Sequence, residues 1–304
     1  MTTSRENATA PDAVLAALAM IGACALIAVT SLLAKVLGVA AGDEALHPLQ
    51  ISAGRFAFAW VTLAVFIAVM RPKLRGGHLR MHLGRATCGW LGVTCMFAAV
   101  SHMPLADATA LTFLSPIFTM LFAIPILGDR IGPRRWIAVG VSMVGAAVLT
   151  GVGTGALQSA AFIALTAAVL FGMESIFVKR LSEREAPIRI LFVNNSIGAV
   201  VAVCVAAFVW RWPSAEGWAL LALLGVAMVC AQALFIQAMK RSKASHIVPL
   251  FYTTLVFAAV YDFALFNAAP TAVAWTGAAL IVSGSIAATL LNRQPRRPSA
   301  ARES

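Results

Sequence analysis

Apolar residues run in long stretches along this chain, and most charged residues fall between the stretches rather than within them. Cutting at Gly, Pro and charge clusters leaves ten stretches, at about 14–38, 49–70, 85–103, 107–127, 135–151, 158–178, 190–210, 217–239, 246–267 and 271–291. Each is near the roughly 20 residues a helix needs to cross about 30 Å of hydrocarbon. The pattern predicts an all-α membrane protein with ten transmembrane helices. The first stretch begins at Ala13 and runs to about Val39, far beyond the roughly 7–15 apolar residues of a signal peptide, and is read as a retained span. A tight turn around Pro104 joins the third and fourth spans.

Composition supports this class. Of the 304 residues, 61% are hydrophobic and only 12% charged, where soluble chains carry about a quarter charged residues. A soluble enzyme of this length has too little interior for so much apolar surface, and a disordered chain has too little apolar residue to match. The five cysteines, Cys24, Cys88, Cys95, Cys204 and Cys230, lie in apolar stretches without a CxxC spacing. They imply neither disulfides nor a zinc site.

The net charge of +11 would point to nucleic acid in a soluble chain, but its distribution points elsewhere. With the N-terminus inside, 20 of the 23 Lys and Arg residues fall on the cytoplasmic side. They include Arg71, Lys73, Arg75, Arg80 and Arg85 in the second connection, and Lys179, Arg180, Arg184 and Arg189 in the sixth. Only Arg211 lies opposite, while Lys35 and Arg55 fall within spans. This is the positive-inside asymmetry, so topology accounts for the basic balance and no nucleic-acid partner is implied.

The chain also repeats itself. SLLAKVL (Ser31–Leu37) in the first span matches SIFVKRL (Ser175–Leu181) in the sixth. A constant shift of 139 residues aligns Ala99 with Ala238, Leu111 with Leu250, Phe118 with Phe257, Trp136 with Trp275 and Gly145 with Gly284. Five spans per repeat is an odd number, so the second half enters the membrane from the other side. Two inverted five-helix repeats, 13–151 and 158–291, are therefore expected, followed by a cytoplasmic tail at 292–304. Inverted repeats are a common plan of secondary transporters, which rock around a site near the midplane.

The stretch Phe97–Leu149 carries a more specific signal. A PLADA turn at Pro104 is followed by small residues, then Pro116, then Gly128–Asp129, the basic pair Arg134–Arg135 and Trp136 at the start of the fifth span. This run resembles the signature region of the drug/metabolite transporter superfamily, EamA type, and the ten-span plan extends the resemblance over about 13–291. The second half departs from the pattern: FNAAPTAVAW (Phe266–Trp275) has no acidic residue and no basic turn, as befits an outer loop. The resemblance implies a multi-pass carrier of small organic metabolites in the cell inner membrane, and the loop charges predict that both termini are cytoplasmic.

Polar groups inside the spans nominate the site. A charge in hydrocarbon costs roughly 2.5–3.5 kcal/mol on insertion scales, so each needs a partner or water. Glu174, in LFGMESIF, is the leading candidate, able to pair with a cationic part of a substrate or to carry a proton. The alternative is a fixed bridge to Lys179 or Arg180, although the spacing is poor for one. Asn194, Gln232 and Tyr252 lie at similar depth, and Trp90 and Ser115 complete the expected substrate-binding set. Lys35, Arg55 and Asp262 are read as a charge cluster or gate at the outer mouth, with snorkelling of Lys35 as the simpler alternative. Arg55 also matches an arginine common at the start of this helix in the resembled family, in a role as readily structural as functional. His78 and His82 sit in a basic inner loop, where solvation is the default expectation. No hydrolase triad, nucleotide loop or metal motif occurs, so no cofactor and no catalytic residue is expected.

These residues point to a secondary transporter, not an enzyme, whose partners are a small-molecule substrate, the lipid bilayer and a candidate coupling proton or ion. Within the resembled family, PLADATALTF (Pro104–Phe113) is most similar to members handling nucleoside-like or vitamin-like compounds, including uptake of S-adenosylmethionine and riboflavin. Export of amino-acid-derived compounds or opine metallophores is the alternative. A membrane-embedded lipid-modifying enzyme, the reading from another class, lacks the clustered acidic or His residues it would need.

Overall fold

The computed structural model describes residues 10–39, 45–72, 77–127, 133–150, 159–182, 184–241, 250–267 and 269–290. These residues are almost entirely helical. In chain order the α-helices are α1 (Ala10–Gly38), α2 (Pro48–Met70), α3 (Leu79–Val100), α4 (Leu105–Thr112), α5 (Ser115–Leu127) and α6 (Pro133–Thr150). They continue with α7 (Ser159–Ser182), α8 (Pro187–Ala206), α9 (Ala215–Arg241), α10 (Thr253–Phe266) and α11 (Ala272–Leu290). A 3-10 turn follows α8 at Ala207–Val209. Among the described residues, seven segments are long and apolar enough to cross a membrane, one of them running through α4 and α5 together. Shorter apolar stretches lie in α6, α10 and α11.

Local chemistry sets the boundaries. Proline opens α2, α6 and α8, where its missing N–H costs nothing. The His47 ring accepts the Leu49 N–H at the start of α2. Arg71 and Asn267 end α2 and α10 in the left-handed region, at φ 46° and 53°. The fourth span is broken at Phe113–Leu114, because Pro116 has no N–H to return to the Thr112 carbonyl four residues back.

Small residues are prominent in the interior, beside fully buried Phe56, Ile51, Leu111 and Leu114. Ala16, Ala23, Ala34, Ala108, Ala164 and Ala167 are fully buried, while Val65, Val69, Leu18 and Phe208 point outward. Large apolar side chains outside and small ones at helix contacts suit a lipid surround. The most extensive packing joins α1 to α9, α3 to α7, α6 to α11 and α2 to α8. At Gly145 a Cβ would stand 2.7 Å from the Ile281 nitrogen and 2.8 Å from the Gly277 oxygen, so α6 and α11 touch backbone to backbone there.

The third helix begins at Leu79, earlier than expected from hydropathy, and this carries Arg85 into the span rather than the preceding loop. Buried Arg85 does not count among solvated loop cations. The signature residues Gly128 and Asp129, and the tail at 292–304, lie outside the described residues.

Candidate substrate cavity

A cavity of about 590 Å³ lies among α1, α2, α3, α4, α5, α7, α9 and the start of α10. That volume suits a drug-sized organic molecule. Its apolar wall includes Met20, Ile27, Val93, Phe97, Phe171, Met228 and Phe235. Phe113 stands edge-on to Tyr252 at 5.0 Å and tilted to Phe251 at 5.9 Å, an aromatic group on one side.

The break between α4 and α5 places Thr112 and Ser115 on the wall together. Many wall hydroxyls spend their hydrogen on their own helix. Thr30 donates to the Ile27 carbonyl, Thr109 to Leu105, Thr112 to Thr109, Thr119 to Ser115 and Thr254 to Phe251, all at 2.7–2.9 Å. Their oxygens are left as acceptors toward the cavity.

Two charged residues line the same space, Glu174 and Arg55. Glu174 pairs with neither Lys179 nor Arg180. Its carboxylate stands 3.5 Å from Arg85 Nε, and Arg180 instead donates to the Ile126 carbonyl at 2.6 Å. The Glu174–Arg85 contact is an ion pair without a formed hydrogen bond, since Arg85 Nε has no acceptor. Arg85 Nη1 donates to the Ile190 carbonyl at 2.7 Å, which fixes the guanidinium between α3 and α8. Gly89 makes room for the pair: a Cβ there would meet the Glu174 carboxyl at 3.1 Å.

Arg55 departs from its expected place. It does not join an outer cluster with Lys35 and Asp262, because two turns into α2 it is turned to the cavity wall, within electrostatic reach of Glu174 and Arg85. Its guanidinium lies 4.4 Å over the Phe56 ring. It is 5% exposed, and its Nη1 has no hydrogen-bond partner.

Of the expected binding residues, Glu174, Tyr252 and Ser115 line the cavity. Trp90, Asn194 and Gln232 are not among its lining residues; Trp90 and Asn194 are buried, with Trp90 Nε1 and Asn194 Oδ1 lacking partners among the described residues. Arg85, a site residue beyond the expected set, stands next to the loop cations in sequence, and that position reads as cytoplasmic.

Lys35 and Asp262 do meet, as a buried ion pair linking α1 to α10. Lys35 is 8% exposed, so it does not snorkel to the surface. Its ammonium also lies 4.3 Å over the Phe266 ring. The second Asp262 oxygen accepts the Leu105 N–H at 2.7 Å and so caps α4.

A further cluster joins the start of α3 to the turn between α7 and α8. Glu185, between α7 and α8, is buried and accepts from His78 Nδ1 and the His78 N–H on one oxygen. Its other oxygen meets His82 Nε2 at 2.8 Å and Arg189 Nε at 2.9 Å. Arg184 meets the far nitrogen of His78 at 3.2 Å. His82 is 1% exposed, so the expected solvated histidine is instead a buried partner of Glu185. Burial alone raises the Glu185 carboxyl, but hydrogen bonds from His82 and His78 and the attraction of His82 outweigh it, holding it down at about 2. Among the described residues no three His, Cys, Asp or Glu side chains converge as metal ligands.

A family model described as the EamA-like transporter family matches residues 14–151 and again 158–290. An S-adenosylmethionine uptake transporter of Rickettsia bellii is 26% identical over 242 residues, covering 79% of this chain and 83% of that protein. A riboflavin transporter of Rhizobium johnstonii is 30% identical over 209 residues, covering 67% and 68%. The pseudopaline exporter CntI of Pseudomonas aeruginosa is 29% identical over 210 residues, covering 68% and 74%. A protein known from a crystal structure superposes with a TM-score of 0.62 at 20% identity, over 94% of this chain and 100% of its own.

Proposed function

This chain belongs to the EamA-like transporter family, as a small-molecule transporter of the drug/metabolite transporter superfamily, and on that premise we propose that it is a secondary carrier working by alternating access. A small organic metabolite binds in the central cavity, and the surrounding helices rock to expose it to either side of the membrane. The observation that carries this reading is the cavity itself: it is lined by two charged residues, Glu174 and Arg55, and is walled by helices from both family-matched segments.

In this reading the chain has ten spans in two inverted five-helix repeats, 13–151 and 158–291, with α4 and α5 forming the fourth span. The packing supports it, because partners are preserved when the halves are exchanged. α1 lies on α9 as α7 lies on α3, α1 on α10 as α7 on α4 and α5, and α2 on α9 as α8 on α3. The pairs α2–α8, α4–α10 and α6–α11 each join an element to its own counterpart. Ser142 donates to the carbonyl of Ile281, the residue 139 positions on, at 3.1 Å.

The protein sits in the cell inner membrane with both termini cytoplasmic. Lys35, Asp262 and Leu105 lie at helix ends that face outward in that orientation, so the ion pair is the outer gate. Glu174, Ser115 and Tyr252 contact substrate, Trp90, Asn194 and Gln232 act from behind the wall, and a coupling proton or ion rides on Glu174. The relatives' names support uptake of an S-adenosylmethionine-like or riboflavin-like compound, with export of an opine-like compound as the alternative direction.

The test is counterflow in proteoliposomes loaded with S-adenosylmethionine, riboflavin, or an opine. The carrier predicts saturable uptake accelerated by the same unlabelled compound inside, and impaired in Glu174→Gln. Linear, unsaturable entry of every compound, identical in empty liposomes, overturns it.

A further inference from the structure

Arg55 is a buried cation lining the cavity that the protein leaves without a counterpart. Among the described residues it makes no hydrogen bond and no ion pair, and its guanidinium lies 4.4 Å over the Phe56 ring. The Glu174 carboxylate within its electrostatic reach is held by Arg85, 3.5 Å away. Two guanidinium groups thus share one carboxylate, and one positive charge is left over at the wall. A buried guanidinium is costly unless an anion or acceptors meet it.

The surroundings say what kind of group would do so. A guanidinium presents planar paired N–H donors that match a carboxylate with two parallel hydrogen bonds. Around it on the cavity wall the threonine hydroxyls offer acceptors, and Phe113 and Tyr252 offer an aromatic face. We propose that Arg55 is the anchor for a carboxylate of the transported metabolite, so that the carrier selects organic acids, zwitterions included, over uncharged compounds.

This rests on the carrier reading, and the experiment separates the two. The full chain in lipid nanodiscs is titrated with methionine, S-adenosylmethionine and an opine, each beside its methyl ester, and with riboflavin. Binding is followed by calorimetry, and flux by counterflow in proteoliposomes. At least one acid binds saturably, its ester at least tenfold more weakly. Arg55→Gln binds acid and ester alike, and Arg55→Lys keeps part of the preference. The comparison of acid with ester in the unaltered protein needs no variant to fold. Equal binding of acid and ester, binding of riboflavin alone, or binding of no compound overturns the Arg55 assignment. Riboflavin flux without acid flux leaves the carrier standing and removes the anchor. Ester-sensitive acid binding without flux of any compound leaves the anchor and removes the carrier.

Discussion

Replacing Asp262 by Asn isolates the worth of the charge pair at the outer end. Asn keeps the shape and an oxygen for the Leu105 N–H, so the cap on α4 survives while the ion pair with Lys35 is lost. Lys35 is 8% exposed and Asp262 1%, which puts the pair in the buried class. Breaking such a pair costs about 3–5 kcal/mol, because one charge is stranded, whereas an exposed pair is worth about 0–1 kcal/mol. Lys35→Met strands Asp262 with a similar expected cost. The double variant strands neither charge and should return to within about 1.5 kcal/mol of the unaltered protein. The assay is reversible unfolding in mixed micelles titrated with dodecyl sulfate, on all four proteins as a double-mutant cycle. The expected coupling is at least about 2 kcal/mol. Single variants each costing under about 1 kcal/mol would mean that Lys35 reaches the headgroups after all. Strictly additive costs would equally refute the pair.

Three further outcomes follow from the geometry. The Glu185 carboxyl, held at about 2, lies below its unfolded value of about 4.3, so its contribution is whole above about pH 4.5 and is lost as pH falls toward 2. Glu185→Gln should therefore be less stable at pH 7 and show a shallower loss of stability in acid; an unchanged acid limb in thermal melts at graded pH counts against the cluster. Gly89→Ala brings a Cβ to 3.1 Å from the movable Glu174 carboxyl and removes a helix glycine. Its stability should stay within about 1 kcal/mol while substrate affinity falls several-fold, and unchanged affinity would detach Glu174 from binding. Gly145→Ala forces a Cβ against α11 backbone at 2.7 Å and should cost about 1–3 kcal/mol in the micelle assay; a neutral result contradicts the α6–α11 contact.

Most of the helices were legible because apolar run length is a direct readout of what hydrocarbon permits. Glu174, Tyr252 and Ser115 stood out as polar groups in such runs, and all three reach one cavity. The charges at span edges were harder to place. Arg85 lies next to true loop cations, and only the contacts with Glu174 and the Ile190 carbonyl reveal it as interior. Arg55 was assigned by its distance along the span, which gives depth but not which way the side chain turns. His82 and Glu185 are 103 positions apart in sequence, so no local pattern announces their meeting. Depth groups Lys35 with Arg55 and Asp262 but does not distinguish an ion pair from a lysine snorkelling to the headgroups, and the capping of α4 by Asp262 depends on three helices meeting and leaves no trace in the sequence.

The central claim, one cavity reached alternately from two sides, is tested most directly at Ser115. This half-buried residue on the cavity wall is changed to Cys in a variant lacking the five native cysteines. A membrane-impermeant thiol reagent is then applied to oriented vesicles from one side or the other, with and without a compound shown to be transported. The account predicts labelling from both sides and protection from both by the compound. Labelling confined to one side under every condition would contradict alternating access.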